Sequence, residues 1–264
     1  MPRMTVREFQ EKARQGDRLV VLTAYDYSMA RAVDEAGVDC VLVGDSLGMV
    51  MMGENDTLGV TLDQMVHHTL AVSRAVKNAL LVADLPFMSY QEGPKQALAS
   101  AGKLLKQGKA QAVKLEWCEE APAIVRKLVG NGIPVMGHVG CVPQSVHALG
   151  GMRVQGKDGV SSARVLAGAK ALEKAGAFSV VLELVPDVLA GRVTRALRVP
   201  TIGIGAGPRC DGQVLVLHDL LGLYPDFTPK HARIYLHLQD AIRGAVRQYA
   251  QDIRQGDFPA RTGK

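Results

Sequence analysis

Short apolar runs recur along this chain and alternate with longer amphipathic segments. Eight of them read as strands: 19–24, 40–44, 79–83, 112–116, 133–137, 178–183, 199–204 and 213–217. Most are continuous stretches of Val, Leu and Ile without polar alternation, the pattern of a parallel strand covered on both faces. The segments between them carry helix punctuation. The segment 28–37 opens on a capping serine, Ser28, and ends at a glycine. Thr61 with Gln64 three residues on has capping-box spacing and opens a helix over 61–76. The segments 94–108, 119–130, 161–176 and 187–197 follow the same rule, and several end in Gly, which takes the left-handed C′ conformation without steric cost.

Eight parallel strands with helices between them predict an α/β fold, a closed (β/α)8 TIM barrel. A helix-like charged stretch over 1–16 precedes it and a long helical segment over 228–256 closes it. At 264 residues the chain has the length of one such barrel, so a single catalytic domain is expected over 1–264. Two stretches depart from the pattern. The connection GAGPRCDG (205–212) is too short for a full helix, and 46–60 is a long loop, which is uncommon unless it has a job.

Composition narrows the partners. The 31 Lys and Arg are scattered among 26 Asp and Glu, for a net charge of +5, with no basic stripe for a nucleic acid. Cys40, Cys118, Cys141 and Cys210 lie far apart, with no C-x-x-C pair, and read as reduced thiols of a cytoplasmic protein. The N-terminus lacks a signal-peptide apolar core, and no run approaches the roughly 18 apolar residues of a membrane span. A cytoplasmic protein with no membrane partner is expected.

In a barrel the chemistry sits where the strands end at their C-terminal side. Strand 1 runs into Tyr25-Asp26, strand 2 into Asp45-Ser46 and strand 3 into Asp84; strand 4 carries Lys114 and Glu116, strand 5 runs into His138 and strand 6 into Glu183. A single aspartate there is most often the solvated start of a loop, but six successive strands with ionisable ends converge on one rim. Carboxylates around one mouth repel unless a cation or protons neutralise them. With oxygen donors, a single His and no Cys, Mg²⁺ is the leading ion. Lys114 and Glu116 share a strand face, and a lysine among carboxylates stays protonated, an electrostatic partner for a substrate carboxylate rather than a Schiff-base nucleophile. Glu183, in the apolar run FSVVLEL, is set as a general base, although capping the next helix is the plainer role. His67 and His68 face different ways on one helix and read as structural. The run GIGAG (203–207) lacks dinucleotide and Walker spacing and suggests only close backbone approach to a ligand.

Seven segments, TAYDYSMA (23–30), VLVGDSLGMVMMG (41–53), ADLPFMSY (83–90), VKLE (113–116), GHVGCVPQSV (137–146), VLELVP (181–186) and IGIGAGPRCDGQVLVLHDLLG (202–222), resemble the 3-methyl-2-oxobutanoate (ketopantoate) hydroxymethyltransferase family over about residues 5–255. The resemblance implies transfer of a hydroxymethyl group from 5,10-methylenetetrahydrofolate to 3-methyl-2-oxobutanoate, giving 2-dehydropantoate on the way to pantothenate and coenzyme A. It also implies Mg²⁺ on Asp45 and Asp84 with Glu116 nearby, directly or through water. Ser46 and Lys114 would hold the substrate oxygens, Glu183 would accept the proton, and His138 would sit beside the reacting centre. A homo-oligomer, a decamer, is implied too. Cys141-Val142 stands where the family more often has Leu-Thr, so a hydroxyl is lost at Val142. Two other readings remain open: a metal-dependent lyase or aldolase of the phosphoenolpyruvate mutase and isocitrate lyase type, and a non-catalytic barrel that binds a small acid.

Overall fold

The computed structural model describes residues 3–224 and 229–259, which belong to two compact units, Met1–Val216 and Leu217–Lys264. In the first unit, helix α1 (Val6–Arg14) leads into β1 (Leu19–Thr23), α2 (Tyr27–Glu35), β2 (Cys40–Val43), α3 (Leu47–Val50), α4 (Leu62–Ala75) and β3 (Leu80–Asp84). Then come α5 (Pro94–Lys103), β4 (Ala112–Glu116), α6 (Ala121–Val129), β5 (Val135–Gly140), α7 (Val146–Leu149), α8 (Gly159–Ala175), β6 (Ser179–Glu183), α9 (Asp187–Ala196), β7 (Thr201–Ile204) and β8 (Gly212–Leu215). Each strand pairs in parallel with the next, and β8 pairs with β1, so the expected barrel closes.

Residues two apart share a strand face, and this parity fills the interior. Leu19 and Val21, Cys40 and Leu42, Leu80 and Val82, Ala112, Met136, Val181, Ile202 and Val214 form one buried cluster. Phe9 of α1, fully buried, joins that cluster and meets Phe178 edge to face at 6.1 Å. Thr61 with Gln64 starts α4 with a reciprocal capping box, as its spacing predicts, and Thr5 with Glu8 does the same for α1.

Several boundaries move from where the sequence puts them. Ser28 does not cap α2; Asp26 does, its carboxylate accepting from the Met29 amide at 2.9 Å. Asp26 therefore serves a helix end and is not a rim acid. The helical run from Pro94 ends at Gly108 as expected, but its last turn, Leu104–Gly108, is π-helical and the left-handed residue is Lys109, φ 64°. Strand β5 starts later than expected and runs past His138, because Pro134 has no N–H for the ladder and hydrogen bonding to β6 carries on through Gly140. No helix joins β7 to β8, as that connection's length requires, and the 46–60 loop holds the short α3.

The second unit contains α10 (Leu217–Leu220) and α11 (Leu238–Gln255), the latter closed by left-handed Gly256. The helical segment expected from Thr228 begins only at Leu238; Thr228 itself, like Met1 and Pro2 of the N-terminal stretch, lies outside the described residues. Among the described residues, no helix is long and apolar enough to cross a membrane.

Candidate active site

The same parity that fills the barrel carries ionisable groups one step up its inner face. Above Val82 comes Asp84, above Ala112 come Lys114 and Glu116, above Met136 comes His138, and above Val181 comes Glu183. The ladder register sets neighbours: Asp84 stands opposite Lys114, Glu116 opposite His138, and Gly140 opposite Glu183. Asp45 and Ser46 come in from the turn after β2. An added Cβ on Gly44 would lie 2.9 Å from Ser46 Oγ, so a side chain there would displace that hydroxyl.

Two ionic clusters result. Lys114 Nζ lies 2.8 Å from Asp84 Oδ1, with both side chains buried. That oxygen accepts no hydrogen bond in good geometry and meets the ammonium as an ion pair. The Asp45 amide donates to Asp84 Oδ2 at 3.2 Å. On the other side, the His138 ring lies between Glu116, 3.6 Å from Nδ1, and Glu183, 3.3 Å from Nε2. Glu183 is the most open of the group, its side chain 12% exposed. Its setting is not the apolar one its sequence neighbours suggest, because it shares an imidazole.

The charge states follow from these contacts. Burial works against a charged His138, but Glu116 and Glu183 outweigh it and push its pKa up to about 9. Burial likewise opposes the Lys114 ammonium, and Asp84, Asp45 and Glu116 together overcome it and hold the proton more tightly than usual. Lys114 is thus a fixed cation, as the sequence implies. Asp45 is driven well above the ordinary carboxylate range by burial, then by repulsion from Asp84 and Glu116. With every carboxylate ionised, Asp45, Asp84, Glu116 and Glu183 carry two more charges than Lys114 and His138, the cations paired with this group among the described residues, can offset.

That deficit fits a divalent cation. Among the described residues, no three His, Cys, Asp or Glu side chains gather closely enough to hold an ion unaided. Oxygen donors are the kind Mg²⁺ takes, one or two carboxylates with water and substrate oxygens completing its shell. Asp45 and Asp84 are linked directly, the backbone amide of one donating to the carboxylate of the other. Glu116 has Oε2 engaged by the Gln144 amide at 2.9 Å and Oε1 facing His138, which suits contact through water.

Of the residues expected at the rim, Asp45, Ser46, Asp84, Lys114, Glu116, His138 and Glu183 lie at this end of the barrel, whereas Asp26 caps α2. Tyr25 is buried there as well, its hydroxyl 2.8 Å from Ser46 Oγ. His68 has a structural bond, Nδ1 to the Tyr25 carbonyl at 2.7 Å. The GIGAG turn uses left-handed Gly205 and Gly207, and a Cβ on Gly207 would lie 2.6 Å from Asp187 Oδ1, so Gly207 packs closely on α9. Gln144 and Tyr90 escaped the strand-end reading. Gln144 lies in a single 3₁₀ turn, Pro143–Ser145, after β5, and Tyr90 in the loop after β3. Both sit within the quoted segments GHVGCVPQSV and ADLPFMSY, which was the available signal.

A closed parallel barrel whose mouth gathers an ammonium, an imidazole and four carboxylates defines the class: a (β/α)8-barrel enzyme. The family model described as ketopantoate hydroxymethyltransferase matches residues 3–261, and the chain belongs to that family of transferases. The 3-methyl-2-oxobutanoate hydroxymethyltransferase of Syntrophus aciditrophicus is 52% identical over 257 residues, 97% of this chain and 94% of that one. The protein of the same name from Carboxydothermus hydrogenoformans is 51% identical over 259 residues, 98% and 94% of the two chains. Among solved structures, phosphonopyruvate hydrolase in complex with oxalate and Mg++ superposes with TM-score 0.63 at 14% identity, over 98% of this chain and 90% of that one. A 2,3-dimethylmalate lyase of the PEP mutase/isocitrate lyase superfamily gives 0.62 at 17%, over 99% and 89%. At such identities the likeness shows the fold alone. Neither the lyase nor the non-catalytic reading accounts for the family match.

Proposed function

We propose that this chain transfers a hydroxymethyl group from 5,10-methylenetetrahydrofolate to 3-methyl-2-oxobutanoate, giving 2-dehydropantoate in pantothenate biosynthesis. The observation that carries the reading is the division of the rim into two halves. Asp45, Asp84 and Lys114 make one that can hold a 2-oxo acid by its oxygens; His138 and Glu183 make the other, which can move a proton.

Asp45 and Asp84 would hold Mg²⁺, with Glu116 through water. The ion supplies Lewis-acid polarisation of the keto group when bound. The Lys114 ammonium and Ser46 hydroxyl bind the carboxylate and keto oxygens, and Lys114 stabilises negative charge as it develops on the keto oxygen. Glu183 takes the proton from C3. His138, 3.3 Å away, orients that carboxylate. The nucleophilic carbon then attacks the methylene carbon of the folate as one of its two C–N bonds breaks, that nitrogen taking the proton Glu183 holds; water displaces the second nitrogen, giving it a proton, and leaves the hydroxymethyl product and tetrahydrofolate. We place this chemistry in the cytoplasm, in a single catalytic domain over 1–264 whose proposed site residues all belong to the first unit, and in a homo-oligomer, a decamer.

Incubating the purified protein with both substrates and Mg²⁺ tests the reading. Formation of 2-dehydropantoate is expected only when the folate is present, and a chelator should abolish it, with Mg²⁺ restoring it. Product without folate, or turnover indifferent to chelation, would contradict the reading.

A further inference from the structure

We propose that Gln144 is a positioning residue that holds Asp45 Oδ2 and so leaves Oδ1 to a divalent cation. The inference rests on the metal reading above. Gln144 is 5% exposed and ties four stretches of chain together. Its Nε2 donates to Asp45 Oδ2 at 2.8 Å and to the Leu85 carbonyl at 2.9 Å. Its Oε1 accepts from the Tyr90 hydroxyl at 2.7 Å and from Gln91 Nε2 at 3.1 Å. Its backbone amide donates to Glu116.

This network admits one orientation of the amide. Turned over, Oε1 would face two acceptors, Asp45 and the Leu85 carbonyl, and the NH₂ group would face the Gln91 donors. The orientation matters because Asp45 and Asp84 repel, and a carboxylate free to rotate turns away from its like-charged neighbour. Gln144 opposes that rotation without adding charge, and Tyr90, which accepts from the Glu116 amide at 3.2 Å, donates to Gln144 at 2.7 Å in preference to the Glu116 carbonyl at 3.4 Å. Groups that orient a metal ligand in this way commonly change metal affinity about 10–100-fold when removed.

Mn²⁺ titration followed by electron paramagnetic resonance tests this on the wild type, Asp45→Ala, Gln144→Met and Tyr90→Phe, with circular dichroism to establish folding. Methionine keeps roughly the volume of glutamine and removes its N–H groups. Gln144→Met is expected to weaken Mn²⁺ binding about tenfold or more, and raised Mg²⁺ should recover its kcat. Tyr90→Phe should weaken binding by a smaller factor. Folded Gln144→Met with wild-type Mn²⁺ affinity overturns the inference; if that variant does not fold, unchanged affinity in Tyr90→Phe does the same. Failure of the wild type to bind Mn²⁺, or unchanged binding by Asp45→Ala, overturns the metal reading itself and the inference with it.

Discussion

Single side chains in this molecule carry charge in places where water cannot help them, and the sign of each consequence depends on its neighbours. His138 is kept protonated by two carboxylates, whereas Asp219 in the second unit is 7% exposed and burial alone lifts its pKa to about 6. A carboxyl whose pKa is raised by folding binds its proton more tightly when folded, so its ionised form costs stability. For Asp219 the cost is absent below about pH 4, grows as the pH rises and is complete above about pH 6. Two pKa steps would be near 3 kcal/mol, which partial solvent screening reduces to about 1–2 kcal/mol. Asp219→Asn should therefore raise the melting temperature at pH 8 and leave it unchanged at pH 4; equal effects at both would contradict the assignment. At this scale the sequence was informative wherever strand parity applied. Asp84, Lys114, Glu116, His138 and Glu183 are legible because they sit on, or at the end of, apolar strands. Asp26 has the same position in sequence but turns to the Met29 amide, a local bond that position alone does not separate from a rim role. Gln144 was not legible, because its partners come from segments up to 99 residues away and no periodicity relates them.

Strands and helices hold these side chains through a few backbone arrangements. Gly140 ends β5 with φ 102°, and a Cβ there would lie 2.2 Å from the Glu183 carbonyl oxygen. That oxygen also accepts the Cys141 amide at 2.8 Å, so β5 and β6 meet at this point with no space for a side chain. Gly140→Ala should cost about 3 kcal/mol or more, combining left-handed strain with a backbone clash. It should also cut turnover, because relief of the clash displaces Glu183. Urea unfolding and activity assay check both, and a folded variant of wild-type stability would refute the packing argument. Eight strands and their parallel order followed from apolar runs, and helix starts followed from Thr61 with Gln64. Ends were less legible. Lys109 rather than Gly108 takes the left-handed position, since the π turn carries the helical run through Gly108.

Over the whole molecule, the first unit is a barrel with different contents at its two ends. Charged groups occupy the rim where the strands end, while α1 contributes Phe9 to the apolar interior. Phe9 is fully buried against Phe178, so Phe9→Ala should destabilise by about 3–5 kcal/mol. The loss should appear in the unfolding midpoint while kcat is preserved at temperatures where the variant is folded, since the substitution is remote from Glu183. A fall in kcat with unchanged stability would contradict this separation. The proposed role of the rim is to remove a proton from C3 of a small 2-oxo acid through Glu183. Proton NMR of 3-methyl-2-oxobutanoate in D₂O, with Mg²⁺ and either wild type or Glu183→Gln, tests it most directly. Loss of the C3 proton signal with the wild type and its persistence with Glu183→Gln are expected; wild-type exchange by folded Glu183→Gln would show that another group is the base.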